Sequence, residues 1–512
     1  MRRVGLAAAL ATVALATAGC GMGGSSGQES ASSSAGSGNG HVVFDTSIPP
    51  KAAWAPESDD AHALMRAGCL ETLLQYDYDS KLKPMLATEW KQTSPTTWEF
   101  TLRDGVKFQN GDPFNADAVV GALDHLLKAA TPARAFNPKR IAGVKAIDPT
   151  HVEITTKAED PLVPLRVASP NTGILSPKAF AGAQVDIKGT CTGPFTVTGE
   201  APRQSLSLTR NDSYWAGKPK LKSAEVRYIV EGQTRATQLQ TGEAQIVHSV
   251  PATSVKTIEG SKDVEIDTLQ VARTTVMLLN NSRAPFDNLQ VRQAIQETLD
   301  TKAIVAAIYE GSGTPAVGPF APDTPWAPSD AKAITPDVEK AKQLLQQAGV
   351  GPLTIELIAY NDRPEFADLA AVIQAQLQKI GITVKIRTGE YASVEPDMLA
   401  GNFDAALLSR GYLVDVADPA GYLLSDFSCE GGYNLAHYCN ADIDELISET
   451  TKLPEIDARN KGYQEIAQKL EEQAPGVFLV HEGAIWGHRS NVKNFKLHPL
   501  EYYVLTKDLD VG

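Results

Sequence analysis

Few residues in this 512-residue chain are spaced for bond-making chemistry. Gly23-Gly24-Ser25-Ser26-Gly27 has the outline of a nucleophile elbow, in which Ser sits on a tight turn between a strand and a helix. Its neighbours are Gly and Ser, without a strand pattern before it or a helix pattern after it. His481-Glu482 could open a zinc-protease motif, but position 485 is Ile, so the second metal ligand is missing. There is no Gly-rich phosphate cradle, and the nine His are scattered. An exported hydrolase would need a nucleophile–base pair or a metal cluster. The sequence offers neither convincingly, so no enzyme activity, metal site or cofactor is expected.

The five cysteines point to other chemistry. Cys20 follows Thr17-Ala18-Gly19, small residues on which a peptidase can close. Before them stand Arg2-Arg3 and an uncharged Ala/Leu/Val run from Val4 to Ala18, too short for a good membrane span. This is a secretory signal pattern over residues 1–19. The Cys after Ala-Gly resembles a bacterial lipobox, which implies lipidation of Cys20, although Thr17 stands where Leu is usual. Residues 20–40 are Gly- and Ser-rich and cannot bury enough surface to offset backbone entropy, so they read as a tether. The chain is therefore expected to work outside the cytoplasmic membrane, held to its outer face only by lipid. The remaining four, Cys69, Cys191, Cys429 and Cys439, suit two disulfides in an exported protein. Three connectivities are possible. Proximity favours Cys429–Cys439, worth about 3 kcal/mol in loop entropy, and leaves Cys69–Cys191. No CxxC spacing supports a zinc site instead.

Composition bounds the partners. The formal charge is −14, and loss of Arg2 and Arg3 with a leader makes the mature chain two charges more negative. Nucleic acid demands a basic face, so none is expected as a partner. The length implies more than one core.

These residues need a scaffold, and the pattern is α/β. Val42-Val43-Phe44, Trp98 to Leu102, His151 to Thr155 and Gln204 to Thr209 read as strands. A helix is expected from Ala61 to Leu74, and Asn115 caps another through Lys128. Later, strands at Val276–Leu279, Leu353–Ala359, Thr383–Arg387, Phe403–Leu408 and Val477–Val480 alternate with helices. Val291, Ile295 and Leu299 share one helical face; Val338 to Ala348 ends at Gly349; Phe366, Leu369, Ile373, Leu377 and Ile380 stop at Gly381. Arg459 to Gln473 is a further helix. Such a rhythm predicts a mixed or parallel sheet with ligands at the carboxyl ends of its strands.

Four blocks carry a resemblance. Pro84 to Trp90, Trp98 to Phe108 and Asn110 to Phe114 form the first. Thr192-Gly193-Pro194-Phe195 with Arg210 to Trp215 forms the second, Val291 to Ile295 the third, and Ala341 to Gly349 the fourth. In this order, over about residues 41–500, the chain resembles the dipeptide, oligopeptide and nickel-binding proteins of ABC importers (family 5 solute-binding proteins). Cys191 stands where that family usually has Gly. The resemblance implies a two-lobed fold of the periplasmic-binding-protein type II kind, hinged on two crossover strands. Lobe one would be 41–272 plus 480–512, with a subdomain at about 76–190, and lobe two 273–479. A monomer would close on a small solute and deliver it to permease subunits.

The resemblance also implies site residues. Peptide binders of the family place an Asp against the ligand's α-amino group, and Asp415 in Gly411-Tyr412-Leu413-Val414-Asp415 occupies that position. An ammonium in a dry cleft needs such a partner. Asp418-Pro419 reads as a turn. Arg363, after a strand and before a helix, suits forked binding of a carboxylate. Tyr412 and Trp486 are the aromatic candidates for the pocket wall. A short peptide is the expected cargo. Nickel, a metal–chelator complex or an oligosaccharide is the alternative; the nickel case is weakened by Ala420, where nickel-binding relatives carry His, and by an acidic residue at 415. A ligand-gated sensor would share the same fold.

Overall fold

The computed structural model describes residues 40–512 except 364, 414 and 415. The expected signal, Cys20 and nearly all of the tether therefore lie outside the described residues, as does Asp415.

An eleven-stranded mixed sheet is the spine. Its order runs Ile382–Gly389, Leu353–Tyr360, Ala405–Gly411, Val264–Leu279, Gly476–Arg489, Ile246–His248, His41–Thr46, Ser223–Tyr228, Ser205–Arg210, Phe195–Ala201. Gly313–Pro315 pairs beside Gly476–Arg489, off this path. The run Val42-Val43-Phe44 is buried on both faces, as a strand inside a parallel array must be. Val264–Leu279 and Gly476–Arg489 are long antiparallel partners spanning the centre. Everything from 280 to 475 is inserted between them in sequence. Their register is irregular between Gln270 and Thr274, where Gly483 and His481 are the partners.

A separate four-stranded sheet, ordered Ala87–Ser94, Thr97–Leu102, His151–Thr156, Ile141–Asp148, packs against the helix Ala116–Lys128. Asn115 starts that helix by accepting 3.0 Å from the Ala118 amide. The largest apolar cluster runs from Trp98 and Phe100 of this sheet into Tyr412 and Phe427 of the inserted segment. A second surrounds Phe44 and Trp486.

Most expected elements form with small shifts. The helix Glu365–Leu377, a short 3-10 turn and Gly381 at φ +82° reproduce the Phe366–Ile380 periodicity and its stop. Three expectations are corrected. The helix expected from Ala61 to Leu74 covers only Asp60–Arg66. Gly68 at φ +67° turns the chain, and a Cβ there would meet the Leu505 carbonyl at 2.3 Å. The strands expected at Val276–Leu279 and Val477–Val480 are the ends of much longer ones. Both disulfides form: Cys69–Cys191, with Cα atoms 5.4 Å apart, and Cys429–Cys439, at 4.5 Å. Among the described residues no helix is long and apolar enough to cross a membrane.

Candidate ligand-binding site

A cleft of about 1260 Å³ opens where the four-stranded sheet faces the inserted segment. Tyr76, Trp90 and Trp98 line it from the first side, Trp326 and Tyr412 from the second, and Gln270 from the long central strand. Each aromatic is fixed by its neighbours. Trp98 alternates inward on Thr97–Leu102 and donates its indole N–H to the Asp160 carbonyl at 3.1 Å. Tyr412 follows the strand Ala405–Gly411 and meets Phe320 and Trp326 edge-on, at 5.4 and 6.1 Å between centroids. Tyr76 ends the strand Leu74–Tyr76. Its hydroxyl is buried, with no side-chain partner among the described residues and with the Ala417 backbone beside it. Burial, then Tyr502 and Asp418, push its pKa well above the usual phenol value, so it stays a donor.

The wall around Tyr412 is held by a buried ion pair. Asp418 accepts 2.6 Å from the Tyr463 hydroxyl, 3.2 Å from Arg459 Nε and 2.9 Å from the Ala420 amide. Arg459, 1% exposed, also donates to the Leu453 and Pro454 carbonyls. Asp418-Pro419 is thus both a turn and an anchor, and the helix Ala420–Asp426 starts from it. Leu413 and Ala417 line the cleft on either side of the undescribed pair 414–415.

Arg363 is placed elsewhere. Its guanidinium donates to Glu482 at 2.8 and 2.9 Å, touches Ser409 Oγ, and stands 3.3 Å from Glu365. Glu482 also accepts 2.8 Å from Thr275, and Arg273 donates to the Ser409 carbonyl at 3.0 Å. This polar knot lies beside the irregular stretch of the two long strands. His481 next to it has protein partners at both ring nitrogens. Its Nδ1 bonds Thr274 Oγ1 at 2.9 Å, its Nε2 accepts from the Val317 amide at 3.1 Å, and burial lowers its pKa to about 3.

Trp486 is 1% exposed in the second cluster. It stacks on Phe44 at 5.9 Å and donates 3.0 Å to Glu501. It is not among the residues lining the cleft. Among the described residues, then, Tyr412 stands at the cleft, while Arg363 and Trp486 stand apart from it.

The second resemblance block has a structural role that its sequence did not disclose. Thr192, Tyr214 and Trp215 donate to the buried carboxylate of Glu71 at 2.7, 2.6 and 2.9 Å. Burial raises the Glu71 pKa and these three donors oppose it. Tyr76, Trp90, Trp98 and Trp326 also line the cleft, and no spacing in the sequence singles them out for it, because only the fold brings them together. Among the described residues no group of three or more His, Cys, Asp or Glu is placed to hold a metal ion.

The model of the bacterial extracellular solute-binding proteins, family 5, matches residues 81–434. The chain belongs to that family. It is 26% identical over 445 residues to the nickel-binding protein NikA of Staphylococcus aureus, covering 86% of this chain and 89% of that protein. It is 27% identical over 440 residues to the glutathione-binding protein GsiB of Escherichia coli K12, with 83% and 86% covered. A crystal structure of a nickel ABC transporter from Bacillus halodurans matches at 29% identity and TM-score 0.82, covering 92% of this chain and all of the other. The protein is thus a family 5 solute-binding protein of the ABC-importer type, with the family's two-lobed fold, and its relatives bind substrate rather than convert it.

Proposed function

We propose that this protein captures a short peptide in the aromatic cleft and delivers it to an ABC permease, while Cys20 carries the lipid that holds it outside the cell membrane. The observation that carries this is the cleft itself. It is large enough for several residues, walled by rings that suit varied side chains, and bordered by Tyr412, Leu413 and Ala417. That border supports Asp415 as the partner of the peptide ammonium. The relative named for glutathione supports a peptide-like cargo. In this reading residues 41–272 plus 480–512 form one lobe and 273–479 the other. Solute bound between them favours the closed state because only that state contacts it from both sides.

The relatives named for nickel favour a second reading, uptake of nickel or a metal chelate. Native and intact mass spectrometry of protein extracted from membranes decides among these. A co-purifying peptide mass and added acyl mass on Cys20 are expected; a metal chelate, or no acyl mass, overturns the corresponding half. Asp415→Ala is expected to weaken binding of that peptide at least tenfold in calorimetry with an unchanged melting midpoint. Unchanged affinity removes the anchor role.

A further inference from the structure

A second set of cavities lies behind the wall that carries Tyr412. One, of about 250 Å³, is bounded by Lys139, Arg140, Lys157 and Lys452, with Val416 and Ala420 of the same wall. It has five cations and two carboxylates in its lining, and one carboxylate, Asp160, is already bonded 2.8 Å to Arg166. A larger opening of about 880 Å³ shares Lys139 and Arg140 and has four cations against one carboxylate. The aromatic cleft has the opposite balance, three cations and five carboxylates. In an acidic protein this separation of sign is concentrated at a single wall.

The basic side is also built into the fold. The Lys157 amide donates 2.8 Å to the Arg140 carbonyl, so the loops carrying these cations are stitched together. Asp160 fixes the floor through Arg166 and the Leu162 amide, and its carbonyl holds Trp98 of the aromatic cleft. Pro161 lines both cavities. Among the described residues Lys139, Arg140 and Lys157 have no carboxylate within ion-pair distance. Arg363, the other cation suited to a carboxylate, already faces Glu482 and Glu365. A ligand anion arriving there would displace an existing ion pair, whereas at the basic pocket it would meet charge without a partner.

We propose that the pocket of Lys139, Arg140 and Lys157 is an anion subsite that takes a carboxylate of the captured solute. The solute then passes Pro161, which borders both cavities, with its cationic or apolar part in the aromatic cleft. This deepens the peptide reading and rests on it for the identity of the solute, though not for the pocket's chemistry.

The test uses tetra-alanine as free acid, the same peptide as C-terminal amide, and citrate as a non-peptide anion. Calorimetry compares the wild-type protein with K139A/R140A/K157A, whose changed side chains are exposed and leave the core intact. The free acid is expected to bind wild type at least tenfold more tightly than the triple variant. The amide is expected to bind both equally. Citrate is expected to bind wild type and to lose binding in the triple variant. Equal binding of acid and amide to wild type overturns the subsite and leaves the peptide reading standing. Citrate binding lost in the variant, with neither peptide bound, keeps the subsite and overturns the peptide reading. Citrate bound equally by both proteins, or no probe bound at all, overturns the subsite.

Discussion

Glu471 shows how a single buried group sets pH dependence in this protein. It accepts 2.8 Å from Gln296 through one oxygen, while its other oxygen is buried without a partner among the described residues. Burial raises its pKa to about 7 from an ordinary 4.5, against the opposing Gln296 hydrogen bond. The folded state therefore holds this proton where the unfolded chain has released it. The contribution is fully present below pH 4.5 and is lost as pH rises through about 7. The loss is on the order of 3 kcal/mol from the size of the shift. Urea titrations at pH 5 and pH 8 should show a decline between these values that Glu471→Gln flattens. A variant with the same decline as wild type assigns the slope to other groups. By contrast, the chemistry of Asp418 was only half legible. Its turn was read from Asp-Pro, but its partner Arg459 is 41 residues away and becomes a neighbour only through the fold.

Elements were legible where one rule governed them. The helix over Phe366, Leu369, Ile373 and Leu377 has a buried face at the 3.6-residue period and a glycine stop. Val264–Leu279 was seen only at its end. Its first ten residues are mostly half-buried or exposed, without the clean alternation that marks a strand. The helix expected to reach Leu74 failed at Gly68, because the chain must turn to place Cys69 against Cys191. The same junction explains Thr192-Gly193-Pro194-Phe195. A Cβ at Gly193 would meet the carbonyl oxygens of Gly68 and Cys69 at 2.4 and 2.5 Å, and these are backbone atoms that cannot swing away. Gly193→Ala should therefore cost about 2 kcal/mol or more by overpacking, read as a lowered denaturation midpoint. Gly105→Ala offers a control in which a Cβ would meet, among the described residues, no atom beyond its chain neighbours within 4 Å but φ is +74°. If Gly193→Ala costs no more than that control, the close approach is not what requires glycine here.

At the scale of the whole molecule, the two long strands connect both sides of the cleft, so any closure must bend or twist them. The irregular register from Gln270 to Thr274, opposite His481 to Gly483, is the place where the ladder is already interrupted. A second register shift falls between Thr275 and Val276, and the regular ladders beyond, from Val276 to Leu279 and from Val264 to Gln270, would have to stretch if bending occurred there. The Arg363–Glu482 knot sits on that interruption and resists separation of the inserted segment from Gly476–Arg489. Binding between lobes should then leave a specific pattern in hydrogen exchange. Protein stripped of solute by partial unfolding, refolded and reloaded with tetra-alanine should exchange more slowly at Pro161–Leu165 and at Tyr412–Ala420 together. Amides of Val276–Leu279, deep in the sheet, should not change. Slowing at only one of the two walls would mean that the solute is held by one side alone. Closure would then gain nothing from the ligand, because a solute that contacts one lobe equally in both states shifts no equilibrium.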